Sequence, residues 1–172
     1  MMMKVLFLDI DGVLNSADWY RYRRDVLGRD PRNVTMFDRD VWEFDPKAVA
    51  RLVEIIERTG IKIVISSSWR IIHTLPEIRS LLYAAGVPKS LDLDAIIIGV
   101  TPRSDRGFRG DEIDAWMMTA LDTLPQIEKY AIIDDDSDFN EFQLPYFVHT
   151  SWEHGINDNH VDQVCDIIGV DK

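Results

Sequence analysis

The sequence predicts a doubly wound, Rossmann-like α/β fold: a parallel sheet of about five strands, helices on both faces, and a minimal cap or none. Three observations carry that prediction. Short apolar runs alternate with segments of helical periodicity, the pattern of successive βαβ units. The run Ile61–Ile65 is β-branched apart from Lys62, as in a strand covered on both faces. Polar clusters follow three of the apolar runs directly, and open parallel sheets bind ligands beyond the carboxyl ends of their strands.

Taken in order, the first strand is expected at Lys4–Leu8. Asp45-Pro46 then offers an N-cap with proline at the first helical position, and Gly60 offers a stop. Between them Val49, Leu52, Val53 and Ile56 share one face at helical spacing. The second strand is Ile61–Ile65, followed by a helix around Pro76–Ala85 that Gly86 ends. A third strand is expected at Ala95–Ile98. Next comes a helix from about Gly110 to Leu121, with Ile113, Trp116, Met117, Ala120 and Leu121 facing inward. Tyr130–Ile133 and Tyr146–Val148 read as the fourth and fifth strands, and Val161–Ile168 as a final amphipathic helix. One long stretch, Asn15–Phe44, shows no regular pattern; a loop of that length in a compact domain is usually functional or mobile.

The chain has 172 residues, the size of one domain, here 1–172, with 15–44 as a possible small cap or lid. Its one cysteine, Cys165, excludes an internal disulfide. No apolar run reaches the roughly 18 residues that span a bilayer, and Met1–Leu8 does not read as a signal peptide, so a cytoplasmic protein is expected. Net charge is −11, which disfavours membranes and long polyanions. The charge is uneven: from Asp18 to Asp40 six arginines face five aspartates, leaving about +1 there and −12 elsewhere. Nothing in the sequence demands a protein partner.

The three polar clusters carry the chemistry. After the first strand stands Asp9-Ile10-Asp11-Gly12, after the second Ser66-Ser67-Ser68-Trp69-Arg70, and after the fourth Asp134-Asp135-Asp136-Ser137-Asp138. In extended chain Asp9 and Asp11 project to one side, and Gly12 allows a sharp turn behind them. Paired carboxylates repel unless a cation neutralises them. If strands one and four are neighbours, the aspartates after strand four join Asp9 and Asp11 in an oxygen-rich cluster of the kind that Mg²⁺ selects. Val13 stands where an EF-hand loop needs an acidic ligand, so that reading fails. Ser66 can offer a hydroxyl and a helix N-terminus to a phosphate. Ser67 and Arg70 beside it are further substrate-binding candidates. So are Arg21, Arg23 and Arg24, which lie among Trp19, Tyr20 and Tyr22, a mix able to stack bases and hold phosphates.

These residues resemble a known family. FLDIDGVLN resembles motif I of the haloacid dehalogenase superfamily, IVISSSWR its motif II, and YAIIDDDSD its acidic motif IV. The serine-tryptophan-arginine form of motif II, with RGDEIDAWM downstream, resembles more narrowly the phosphatase-like domain attached to RNA-repair proteins. The resemblance implies a Mg²⁺-dependent phosphomonoesterase. Asp9 would be the nucleophile that forms an aspartyl-phosphate, Asp11 the general acid and base, and Ser66 the phosphoryl-binding hydroxyl. Asp135 would bind the metal, with Asp134 as a second ligand or support. One departure stands out: the family's motif III is usually a lysine, and none lies between Lys89 and Lys129. Arg109 is the expected substitute, with Arg106 and Arg103 next.

The expected substrate is a phosphorylated small molecule, a nucleotide or a nucleic-acid phosphate end, taken into a rather open site. Two other classes compete. A receiver-type phosphoacceptor domain needs an aspartate after strand three, where this chain has Ile98-Gly99. A catalytically silent phosphate-binding module would not require Asp9, Asp11, Ser66 and Asp135 together. A dinucleotide-binding dehydrogenase is excluded, since no GxGxxG follows strand one.

Overall fold

The structure, a computed structural model, describes residues 2–30, 32, 34–120 and 124–169. Five parallel strands form one sheet: β1 Met3–Leu8, β2 Lys62–Ile65, β3 Ile97–Val100, β4 Ile127–Asp134 and β5 Phe147–His149. Their order is β3-β2-β1-β4-β5, so the direction of winding reverses between β1 and β4. The helices are α1 Ala17–Asp25, α2 Met36–Glu43, α3 Pro46–Thr59, α4 Leu75–Ala84, α5 Leu93–Ile96, α6 Arg109–Ala120 and α7 Asp158–Ile168. This is the doubly wound α/β architecture expected.

Both faces of the sheet are covered, which is why the strands read as near-continuous apolar runs. On one face, Leu6, Leu8, Ile63 and Ile65 pack against α3, α4 and α7. On the other, Val5, Phe7, Val64 and Ile132 pack against α6 through Ile113, Trp116 and Ala120. Phe7 meets Trp116 edge-on at 5.4 Å. Helix α3 begins as its sequence suggests: the Asp45 carboxylate accepts from the Lys47 N–H, and Gly60 ends it in the left-handed conformation at φ 63°.

Several boundaries differ from expectation, each for a local reason. β3 starts two residues later, because the Asp92 carboxylate accepts from the N–H groups of Asp94 and Ala95 and caps the short α5. Tyr146 belongs to the 3₁₀ turn Glu141–Tyr146, so β5 is shifted to Phe147–His149. The stretch 15–44 is not irregular: it carries α1 and α2, capped by Ser16 and Thr35, whose hydroxyls accept from the N–H groups of Trp19 and Asp38. Leu121, expected to face inward, lies outside the described residues. Among the described residues no helix is long and apolar enough to cross a membrane.

Candidate active site

The ends of four adjacent strands, β3, β2, β1 and β4, place four polar residues in one row. The ladders run on past the strands: Asp9 N–H donates to the Ile133 carbonyl, Ser66 N–H to Leu8, and Thr101 N–H to Ile65. Side chains alternate along each strand. Phe7, Val64 and Ile132 face α6, so Asp9, Ser66 and Asp134, two residues further on, face it too. A Cβ on Gly99 would point at the Trp116 ring, which puts Thr101 on that same face. The row reads Thr101, Ser66, Asp9, Asp134, and all four are buried.

Sheet geometry alone therefore draws the carboxylates together. Asp9, Asp134 and Asp135 each bring an oxygen within 4.8 Å of the others. Burial, opposed by Arg109 and by hydrogen bonds from Ser67 and the Ile10 N–H, holds the Asp9 carboxyl above its ordinary range. Burial and then repulsion from Asp9 do the same to Asp134. Asp135 is raised by burial and by Asp136. Gly12, at φ 67°, is required here: a Cβ at that position would lie 2.2 Å from Cγ of Asp135.

Asp11, expected with the other three as a metal ligand, is not one of this trio. Its Oδ1 accepts from Asn15 Nδ2 at 2.8 Å and from Trp69 Nε1 at 3.0 Å. Its Oδ2 has the Ser68 hydroxyl at 3.5 Å. The residue is half-buried, at the mouth of the site.

Motif II divides its labour. The Ser66 hydroxyl is buried and has no hydrogen-bond partner among the described residues, and the same holds for Thr101 Oγ1. Buried polar groups are normally paired, and one left open costs about 1–3 kcal/mol. Ser67 is fully buried and hydrogen-bonds Asp9. Arg70 turns away from solvent, its side chain 5% exposed, and donates to Oε2 of Glu112 at 2.6 Å and to the Ser67 carbonyl.

Arg109, at the first turn of α6, reaches the carboxylates: Nε lies 3.5 Å from Oδ2 of Asp134. Its own N–H donates to Oδ2 of Asp138 at 2.9 Å, which fixes where α6 begins. Arg103 and Arg106 are exposed in the preceding loop.

The arm arginines carry their own counter-ions. Arg21 pairs with Asp18 and Glu153, Arg23 with Glu43 at 2.9 Å, and Arg24 with Asp25 at 2.6 Å. Trp19 is a packing residue, buried with its indole N–H donating to the Trp42 carbonyl. Tyr20 lies closer to the site. Burial and then Glu43 raise its hydroxyl's pKa, and Asp11 is near enough to contribute.

Sequence reasoning missed Glu112, Thr101 and the anchoring of Asp11 by Asn15 and Trp69. Glu112 stands three residues after Arg109, the spacing that lets two helical side chains meet. Pairs at that spacing ordinarily lie on a helix surface; Glu112 is instead 4% exposed.

Comparisons with known proteins bear on the family of the chain. A family model described as the HAD domain in Swiss Army Knife RNA repair proteins matches residues 5–161. Among solved structures, one match is a haloacid dehalogenase-like hydrolase, SP0104, from Streptococcus pneumoniae. It is 14% identical, covers 94% of this chain and 90% of that one, and superposes with a TM-score of 0.41, too loosely to bear on mechanism. A search of curated proteins found no match. The chain belongs to the family of haloacid dehalogenase-type domains found in Swiss Army Knife RNA repair proteins.

Proposed function

We propose that this domain is a Mg²⁺-dependent phosphomonoesterase that works through an aspartyl-phosphate on Asp9. The observation that carries the reading is the trio of buried Asp9, buried Asp134 and half-buried Asp135 beside an open serine hydroxyl. Three carboxylates gathered with raised proton affinities are a poor arrangement for a metal-free protein and a good one for a hard divalent cation. The donors are all oxygen, so they fit Mg²⁺; Asp9, Asp134 and Asp135 would hold it. When bound, the cation supplies the charge that offsets repulsion between an anionic nucleophile and an anionic phosphate.

The chain's own residues do the rest. Asp9 attacks phosphorus, the bond from phosphorus to the ester oxygen breaks, and the leaving oxygen takes a proton from Asp11. Water then gives that proton's equivalent back to Asp11 as it attacks the aspartyl-phosphate, which frees inorganic phosphate and restores Asp9. Asp11 suits the role because its Oδ1 is held by two donors while Oδ2 is only loosely engaged. The Ser66 hydroxyl donates to a phosphoryl oxygen. Arg109 adds positive charge beside the developing transition state.

The substrate class is a nucleotide or a nucleic-acid phosphate end, a reading that the RNA-repair family supports. With Arg21, Arg23 and Arg24 already paired, the arm offers little net attraction to a long backbone, which favours mononucleotides or short single-stranded ends. A screen of 5′- and 3′-nucleotides and 3′-phosphorylated DNA and RNA ends, with Mg²⁺ and with EDTA, tests it. Metal-dependent phosphate release from at least one nucleotide or strand end is expected. Metal-bound protein that releases phosphate from none of them would favour the silent-module reading.

A further inference from the structure

Glu112 is a buried carboxylate that nothing in the proposed chemistry uses, and its surroundings say what it does. Its Oε2 accepts from Arg70 at 2.6 Å and faces Nη1 of Arg109 at 3.4 Å, while its Oε1 accepts from the Ser104 N–H at 3.1 Å. Two guanidinium groups thus converge on one oxygen. Arg70 comes from the turn after β2 and Arg109 from the start of α6, and the two cations repel. A carboxylate between them is what allows both to stay. Arg109 is then held from two sides, by Glu112 and by Oδ2 of Asp134 at 3.5 Å.

We infer that Glu112 is a positioning residue: it holds Arg109 between itself and Asp134 and ties it, through Arg70, to the turn that presents Ser66 and Ser67. The inference rests on the proposed role of Arg109. Loss of the carboxylate leaves Arg109 with Asp134 as its partner. The guanidinium swings toward the metal-binding carboxylates and competes with the cation there, and it no longer sits where the phosphoryl charge develops.

The test compares Glu112→Gln with the pair Arg70→Met/Glu112→Gln. The second variant removes the buried ion pair as a unit, which folded proteins tolerate better than the loss of one partner. Both are assayed by p-nitrophenyl phosphate turnover with Mg²⁺ and by thermal-shift titration with Mg²⁺. Both variants should lose about 10- to 100-fold in kcat, with KM changed by about twofold or less, as for an interaction made chiefly in the transition state. Both should bind Mg²⁺ several-fold more weakly. Adding Arg109→Ala to Glu112→Gln should restore Mg²⁺ affinity and cost little further activity, because the two residues act as one unit. If Glu112→Gln does not fold, the paired variant decides. Wild-type kcat and Mg²⁺ affinity in a folded variant would overturn the inference while leaving the phosphatase reading intact. If the wild-type protein shows no turnover, the phosphatase reading fails and the Mg²⁺ titration alone decides the role of Glu112: unchanged affinity refutes it, weakened affinity restored by Arg109→Ala supports it.

Discussion

The strand-end row and the arm 15–44 are both rich in charge, and they treat it in opposite ways. In the row, Asp9 and Asp134 are buried with raised proton affinities, and the Ser66 and Thr101 hydroxyls have no hydrogen-bond partner among the described residues. In the arm, Arg21, Arg24 and Arg32 stand in solvent, each against a neighbouring carboxylate. Such exposed pairs contribute little to stability and are readily exchanged. Density of charge does not mark a site. Groups held buried, close and unsatisfied do, since the fold tolerates that cost only where something else is to be bound.

Changes in the two regions should therefore differ in scale. The largest effect is expected for Asp9→Asn, which should lose on the order of 10³-fold or more in turnover, because an amide cannot attack phosphorus. The metal-free variant should also melt at a higher temperature than wild type, since a repelling buried carboxylate is gone. Variant protein with a tenth of wild-type activity would remove Asp9 from the mechanism.

Asp11→Asn should follow. An ester with a poor leaving group needs its oxygen protonated, whereas p-nitrophenolate hardly does. Turnover of a nucleotide should thus fall far more than turnover of p-nitrophenyl phosphate. Equal losses on both would show that Asp11 does not act as the acid.

A smaller effect concerns pH and metal together. The folded, metal-free protein holds protons on Asp9 and Asp134 that the unfolded chain releases near the ordinary aspartate pKa of about 3.9. Their contribution to stability is full below that pH and is lost as pH rises through the raised folded values. Mg²⁺ competes with those protons, so its stabilising increment should grow with pH. Thermal melts at pH 5 and pH 8, with and without Mg²⁺, measure this. An increment larger at pH 5 would contradict the assignment of these carboxylates to the metal.

The arm should matter least. Replacing Arg21, Arg23 and Arg24 together should leave kcat on p-nitrophenyl phosphate nearly unchanged and raise KM for a mononucleotide only a few-fold, with a shallow dependence on salt. Steep salt dependence and strong preference for a longer 3′-phosphorylated strand would make the arm a true nucleic-acid grip.

What the sequence made legible follows the same division. Asp9, Ser66 and Asp134 could be read because each ends an apolar strand, and parallel pairing brings such ends together whatever surrounds them. Helices α1 and α2 were not legible: they are short, polar and marked only by the caps at Ser16 and Thr35. Glu112 was hidden for a different reason. An acidic residue in the first turn of a helix ordinarily faces water, and its burial depends on Arg70, 42 residues away in sequence. Tertiary partners of that kind leave no local signature.

The central claim is that Asp9 becomes phosphorylated during turnover. Acid-quenching the enzyme with substrate and Mg²⁺, reducing with borohydride and sequencing the peptides by mass spectrometry tests it directly, because reduction converts an aspartyl-phosphate to homoserine. The account predicts homoserine at position 9, dependent on substrate and abolished by EDTA. Sustained turnover with Asp9 unmodified, or homoserine at Asp134 instead, would contradict it.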